Sequence, residues 1–223
     1  MLLGGDHVVA GDKCPSRVQS STSRCERLLV SGRRVIEQVV WALAGRRIDG
    51  QEQDAVRFPA ENESLVRERL RWVFEKLPPS CITSSAACGA DLIGLEMAEE
   101  RGVRRLIVLP FDRETFRRKS VADRGEHWGI RFDRVMQALP RNELIILHSS
   151  IKSSDAFLKT NRAILDQATS LAKRSGSIPV AVVIWDGKKR WDGKKRDSEV
   201  DFTQEFLSDA LRRGMLTEQV LTL

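Results

Sequence analysis

The sequence lacks any apolar run that approaches the roughly 20 residues needed to span a membrane. Its opening M-L-L-G-G-D-H-V-V-A-G-D lacks the basic segment and the apolar segment of a signal peptide. Cysteine is scarce, and the four residues show no close metal-ligand spacing: Cys14, Cys25, Cys81 and Cys88. These absences predict a cytoplasmic protein with free thiols and no membrane segment.

Motifs for metal binding and nucleophilic catalysis are absent as well. The three histidines, His7, His127 and His148, share no recognisable ligand spacing. The sequence contains neither a Walker phosphate loop nor a nucleophile elbow. We therefore expect no metal ion and no cofactor, and no side chain stands out as a nucleophile.

The composition that is present describes an ordinary globular protein. The 223 residues are 41% hydrophobic and 30% charged, which predicts one domain around one core. Residues 1–26 show little periodicity and are predicted to form a loose extension before a single domain at 27–223. The net charge of +6 permits attraction to nucleic acid or phosphorylated ligands and establishes neither.

Short apolar runs alternate with helical patterns along the chain. This alternation predicts an α/β fold, with a Rossmann-like parallel sheet and helices on both faces. The predicted strands are Arg27–Val30, Cys81–Thr83, Leu106–Leu109, Leu144–Leu147 and Pro179–Trp185. The predicted helices are Val35–Ala44, Glu61–Lys76, Asp91–Arg101, Ile130–Leu139, Ala156–Lys173 and Phe202–Arg213.

The loop Thr83–Ala90 follows a predicted strand and contains only small residues. Small side chains let a ligand approach the main chain, and the helix start after this loop favours anions, phosphate above all. Asp91 in the first helical turn suits the helix dipole and could also bind ribose hydroxyls. Glu96 has two open roles, as a solvated charge or as a desolvated general acid/base.

Other candidate positions follow predicted strands. Ser31-Gly32, with Arg33 behind it, could bind phosphate, although an ordinary turn explains the pattern equally well. Pro110 and Asp186 each end an apolar run at the expected ligand edge. Three aromatic residues near Pro110 could stack on a base or simply anchor a charged segment: Phe111, Phe116 and Trp128. Trp191–Arg196 repeats the preceding W-D-G-K-K-R, which predicts a solvated basic loop, with a nucleic-acid contact as the second interpretation.

Several of these blocks together resemble the SLOG-type Rossmannoid domain. The blocks are V-S-G-R at 30–33, R-F-P at 57–59, A-C-G-A-D at 87–91 with Glu96, L-P-F at 109–111, L-D-Q-A at 165–168 and W-D-G at 185–187. Relatives in this group include the cytokinin-activating phosphoribohydrolases, the DNA-processing protein A fold and the nucleoside deoxyribosyltransferases. The chain is most similar to the branch found in bacterial signalling and conflict proteins.

The resemblance implies a nucleotide or nucleotide-derived ligand at the strand ends. It assigns that ligand to nine residues, namely Ser31, Gly32, Arg33, Cys88, Gly89, Ala90, Asp91, Pro110 and Asp186. Three departures matter. Arg33 stands where relatives carry His, and the Pro-Gly-Gly-x-Gly-Thr loop of the phosphoribohydrolases is absent. The basic duplication and Asp197–Asp201 replace the Gly-rich, Thr-containing stretch that relatives carry after Trp-Asp-Gly.

These observations leave three functions open. The leading expectation is a ligand sensor that acts through a separately encoded effector protein or as a homo-oligomer. The alternative is an N-glycosidic hydrolase or (deoxy)ribosyltransferase that uses Glu96 or Asp91. Single-stranded DNA binding is a weaker alternative, because only the charge indicates it.

Overall fold

The computed structural model describes residues 29–30, 33–34, 38–50, 55–153, 155–188 and 200–223. The predicted N-terminal extension at 1–26, the candidate residues Ser31 and Gly32 and the repeat Trp191–Arg196 lie outside the described residues. Two short strands, β1 (Leu29–Val30) and β2 (Arg33–Arg34), pair with each other in antiparallel orientation.

A six-stranded, entirely parallel sheet forms the centre of the fold, which confirms the predicted α/β class. Its strands are β3 (Val39–Gly45), β4 (Pro79–Ser84), β5 (Arg104–Leu109), β6 (Leu144–Ile146), β7 (Ile178–Trp185) and β8 (Leu216–Leu221). Their order across the sheet is β6-β5-β4-β3-β7-β8. Four of the five predicted strands are confirmed within this sheet, and β7 lies inside it as expected.

Helices cover both faces of the sheet. They are α1 (Glu63–Lys76), α2 (Ala90–Glu100), α3 (Arg113–Ser120), α4 (Glu126–Gln137), α5 (Ala156–Ser175) and α6 (Phe202–Arg212). Trp41 and Leu43 belong to a core shared with α1, α2 and α4, whereas Val40 and Ala42 belong to one shared with α5 and α6. This alternation follows from the two-residue period of a strand. No helix in the described ranges is long and apolar enough to cross a membrane.

The predicted helix Val35–Ala44 is wrong in its described part. Val39–Gly45 is a strand and lies between β4 and β7 in the middle of the sheet. All six residues of Val39–Ala44 are buried, because helices cover both faces of this strand. A short, continuous apolar run of this kind fits a helix and a doubly covered strand equally well, so periodicity could not distinguish them.

Two further features of the sheet differ from the prediction. Leu29–Val30 pairs with Arg33–Arg34 and not with the six-stranded sheet, so the first strand of the sheet is β3. The edge strand β8 was missed, since its sequence L-T-E-Q-V-L carries polar residues. Glu218 in that strand is nevertheless buried, and Lys76 on α1 provides its counter-charge at 3.4 Å.

Candidate functional site

The carboxyl ends of the parallel strands converge around Arg46, the first residue after β3. The Arg46 main-chain N–H donates to the Ile184 carbonyl at 2.8 Å, and the Arg46 carbonyl accepts from the Ala90 N–H at 3.1 Å. The Arg46 side chain donates from Nε to Asp186 Oδ1 at 3.2 Å. The structure therefore brings Ala90 and Asp186 to the same edge of the sheet, on either side of Arg46.

Two glycines allow the strand ends to approach so closely. A Cβ on Gly45 would lie 2.4 Å from the Ile184 carbonyl oxygen and 2.5 Å from the Ala90 Cβ. Gly89 has a φ of +86°, and a Cβ there would lie 2.7 Å from the Ile48 main-chain nitrogen. The small residues of this loop thus accommodate neighbouring protein backbone.

The predicted anion site at the start of α2 has fewer free donors than the sequence indicates. The Ala90 N–H donates to Arg46, and the Leu92 N–H donates to the Ala87 carbonyl at 3.2 Å. Both belong to the first helical turn, whose N–H groups normally lack partners inside the helix. A phosphate at this helix start would therefore have to displace contacts that the protein already makes.

Asp91 combines burial with an incomplete set of hydrogen bonds. It is 4% exposed, and its Oδ2 accepts from Ser85 Oγ at 2.5 Å and from the Ala87 N–H at 3.2 Å. Oδ1 has no well-aligned hydrogen bond among the described residues, although the Gly45 main-chain N–H is close enough to stabilise the carboxylate, and the buried Ser84 hydroxyl has no partner there either. Burial raises the pKa of Asp91 to about 6, against the opposing effect of hydrogen bonds from Ser85 and from the main chain of Ala87 and Gly45.

The main chain between these residues is strained. Ala86 has a φ of 64°, a left-handed conformation that is uncommon for residues other than glycine. Such outliers concentrate at functional sites, where the surrounding structure holds them in place. The Ala86 conformation therefore makes the Ser84–Asp91 segment one unusual part of this edge, and His148 after β6, with a φ of 50°, is a second.

Glu96 lies in a separate environment from Asp91. It is 2% exposed and accepts hydrogen bonds from Arg131 at 2.8 and 2.7 Å and a further one from Arg67. Arg134 adds a third guanidinium at 3.4 Å. Five residues of helix separate Glu96 from Asp91, an axial rise of about 8 Å. The structure thus surrounds Glu96 with arginines from α1 and α4, and its predicted catalytic role stays a prediction.

Cys88 contacts the second arginine after β3. The Arg47 Nε donates to the Cys88 Sγ at 3.3 Å, and Arg47 also pairs with Asp123. Burial raises the pKa of the Cys88 thiol, although the Arg47 guanidinium opposes the shift. Burial likewise raises the pKa of Cys81 to about 11. Neither thiol is therefore set up as a reactive thiolate.

Of the remaining predicted ligand residues, Pro110 lies two strands away from Arg46, and Ser31 and Gly32 lie outside the described residues. Pro110 follows β5, the strand beyond β4, and its carbonyl accepts from the Ser149 N–H at 2.8 Å. Arg33 belongs to β2, whose only described pairing is with β1. These assignments, like the others made for ligand contacts, remain predictions.

The aromatic side chains expected near Pro110 are packed in the interior. Phe111, Phe116 and Trp128 are all buried, which agrees with the anchoring interpretation. A different pair faces this edge: Phe202 is 36% exposed, and its ring centroid lies 5.4 Å from that of Phe157. Sequence reasoning missed this pair because the two residues begin different helices, 45 positions apart.

A group of four charged side chains, here termed the edge cluster, was also missed. It consists of Arg46, Arg57, Asp186 and Asp201. Arg46 donates from Nη1 and Nη2 to the two carboxylate oxygens of Asp201 at 2.6 and 2.7 Å, and Arg57 Nη1 donates to Asp201 Oδ2 at 3.1 Å. The Arg-Arg pair directly after V-V-W-A-L-A-G was the available sequence signal, once that run is interpreted as a strand.

The described part of this edge offers no metal-binding group. Within the described ranges, no group of three or more His, Cys, Asp or Glu side chains could hold a metal ion. A cavity of about 460 Å³ lies at the opposite edge, where β7 and β8 begin. Its lining includes Asp166, Pro179, Arg213 and Leu216. The cavity and the strand-end site are therefore different places.

Comparison with protein-family models and with curated proteins found no match to this sequence. Among solved structures, the fold is distantly similar to DNA processing protein A (DprA) from Streptococcus pneumoniae, at 12% sequence identity and a TM-score of 0.32. The match covers 81% of this chain and 58% of that one, so the chain spans less than two thirds of its length. DNA processing is a property of that protein, and a similarity of this size does not transfer it.

Proposed function

We propose that this chain binds a nucleotide or nucleotide-derived ligand at the carboxyl edge of its sheet and acts as a sensor. The observation that carries the proposal is the buried Asp91 carboxylate, whose Oδ1 lacks a well-aligned donor, beside the strained Ala86 and near the unpartnered Ser84 hydroxyl. Buried polar atoms without partners are rare in native proteins. A sugar hydroxyl is a suitable donor to a carboxylate oxygen, as in other nucleotide-binding α/β folds.

The Asp91 Oδ1 and the Ser84 hydroxyl are both covered by protein, so ligand entry requires the Ser85–Cys88 segment to shift. Strain at Ala86 makes a shift in this segment less costly than one in a relaxed loop. A ligand that replaces the strained arrangement with paired hydroxyls would then stabilise a second loop conformation. That change is the signal a cytoplasmic sensor could pass to a separate effector protein or to a second copy of the chain.

The alternative function is N-glycosidic hydrolysis or transfer, with Asp91 as general acid/base. Its support is the Asp91 pKa of about 6, since proton transfer is most efficient when the pKa is near the working pH. Glu96 is less suited to this role, because guanidinium groups already occupy both of its oxygens.

The test begins with native mass spectrometry of freshly purified protein, which detects a co-purified nucleotide. Calorimetric titration with nucleoside monophosphates then compares the wild type with Asp91→Asn and Glu96→Gln. We expect Asp91→Asn to weaken binding about ten-fold or more, and Glu96→Gln to change it by only a few-fold. The proposal is wrong if no nucleotide or nucleoside binds the wild type, or if Asp91→Asn binds as tightly.

Chromatography of the same mixtures separates sensor from enzyme. A sensor releases no free base from nucleoside monophosphates or deoxynucleosides. Base release by the wild type that falls about 100-fold in Asp91→Asn would establish the hydrolase, because this is the usual loss for a general acid/base. The same loss in Glu96→Gln would instead assign that role to Glu96.

A further inference from the structure

The carboxylate of Asp201 occupies a site built from four N–H donors. Its Oδ1 accepts from Arg46 Nη1 at 2.6 Å and from the Gln204 main-chain N–H at 3.1 Å. Its Oδ2 accepts from Arg46 Nη2 at 2.7 Å and from Arg57 Nη1 at 3.1 Å. Two guanidinium groups and the first turn of α6 therefore converge on one small oxyanion.

This donor set has the geometry that proteins use for phosphate. A guanidinium fork binds carboxylate and phosphate oxygens in the same bidentate way, and a helix N-terminus adds further donors to an anion. The site also lies at the carboxyl edge of the sheet, where β3 and β7 end. The Asp201 carboxylate therefore occupies the position that the phosphate group of a ligand would take.

Asp186 holds the arginines independently of Asp201. Its buried carboxylate accepts from Arg46 Nε at 3.2 Å and lies 4.0 Å from Arg57 Nη1. Arg46 therefore keeps Asp186 as a partner when the Asp201 carboxylate is removed. The rest of the edge cluster, Arg46, Arg57 and Asp186, then carries a net charge of +1. A vacated site would remain ordered and positive.

We propose that Arg46, Arg57 and the first turn of α6 form a binding site for the phosphate group of a phosphomonoester, which the Asp201 side chain closes until phosphate displaces it. The natural ligand of this site rests on the proposed function, whereas the site itself is tested with inorganic phosphate. Displacement moves the residue that caps α6, so ligand binding at the sheet edge is coupled to the start of that helix.

The experiment measures binding of inorganic phosphate by calorimetry, at low ionic strength with chloride as the background anion. Asp201→Asn removes the competing charge and retains an equally good helix cap. We expect this variant to bind phosphate about ten-fold or more tightly than the wild type, because two guanidinium groups that share only the Asp186 carboxylate attract an oxyanion strongly. Arg46→Gln added to Asp201→Asn should abolish the gain.

The matched control is Asp166→Asn. Asp166 pairs with Arg213 at 2.5 Å at the opposite edge, so this variant also removes one carboxylate from an arginine. Its phosphate affinity should stay within about two-fold of the wild type, since an exposed pair interacts weakly. Equal phosphate affinity in Asp201→Asn and the wild type overturns the proposal, as does an equal gain in both variants.

A second Asp201 variant and a nucleotide titration complete the experiment. Asp201→Ser, which also caps a helix without a charge, repeats the measurement if Asp201→Asn unfolds, and it should show the same gain. Failure of nucleotides to bind any variant, with phosphate tightened in Asp201→Asn, refutes the proposed nucleotide function and leaves the phosphate site standing.

Discussion

Removing the charge of Asp91 should change how the stability of the protein depends on pH. Asp91 is buried, and its pKa rises from an ordinary 3.8 to about 6 in the folded state. The folded protein therefore holds a proton that the unfolded chain releases between these two values. The stability contributed by the protonated carboxyl is fully present below pH 3.8 and is lost as the pH rises through 6.

The size of the effect follows from the same two values. One pH unit of pKa change corresponds to about 1.4 kcal/mol, so the move to about 6 amounts to about 3 kcal/mol. Asp91→Asn has no proton to release and should not show this loss. Because part of this loss has already occurred at pH 4, the stability of the wild type relative to Asp91→Asn should fall by about 2 kcal/mol between pH 4 and pH 7.

Urea denaturation followed by tryptophan fluorescence measures both proteins across this range. Other carboxyls titrate alike in the two proteins, so they cancel in the difference between the curves. Asp112→Asn is the control, because the Thr115 main-chain N–H lowers the pKa of Asp112 from its ordinary 3.8. The stability that Asp112 contributes is lost only as the pH falls below this range, so the difference between wild type and Asp112→Asn should stay nearly constant from pH 4 to 7. A difference between wild type and Asp91→Asn that does not vary from pH 4 to 7 would refute the reasoning about Asp91.

Three further predictions test other parts of the fold. Gly45→Ala should lower the free energy of unfolding in urea by about 2–3 kcal/mol, because the added Cβ clashes with β7. Gly102→Ala should lower it by about 1 kcal/mol, because Gly102 has a φ of +64° but open space around it. Equal losses in the two variants would contradict the packing argument. Cys88 should resist iodoacetamide at pH 7.5 in native protein and react in urea, as peptide mass spectrometry reports, because it is buried beside Arg47. Rapid native labelling would show that the loop opens. Deleting Trp191–Arg196 should leave the melting temperature nearly unchanged, as expected for a surface loop, and a large drop would mean that the repeat packs into the core.

The sequence was sufficient to predict an element where its local pattern fits only one type of secondary structure. Isolated apolar runs next to turn residues predicted β4, β5, β6 and β7, and helical spacing predicted α1, α2, α5 and α6 within a few residues. Alternation of these elements predicted the parallel sheet, because parallel strands need helical crossovers. Asp91 was correctly placed in the first turn of α2.

Local sequence patterns did not predict the structure where one pattern fits both a helix and a strand. They also failed where residues far away in the chain bury the segment. Val39–Gly45 fits a helix until helices on both sides are known to cover it. Leu216–Leu221 looks polar until Lys76 is placed beside Glu218. In both cases the deciding contacts come from residues far away in the chain, which no short window contains.

What the sequence by itself determined is the class of fold, because alternating strands and helices specify a parallel sheet with helices on its faces. The tertiary structure alone decided which side chains meet at the carboxyl edge of the sheet: Arg46 contacts Asp201 across 155 positions, and Asp186 across 140. It also decided that Glu96 belongs to an arginine cluster between helices, away from Asp91. The physical reason is that strand order and crossovers place side chains in space, and sequence separation carries almost no information about that placement.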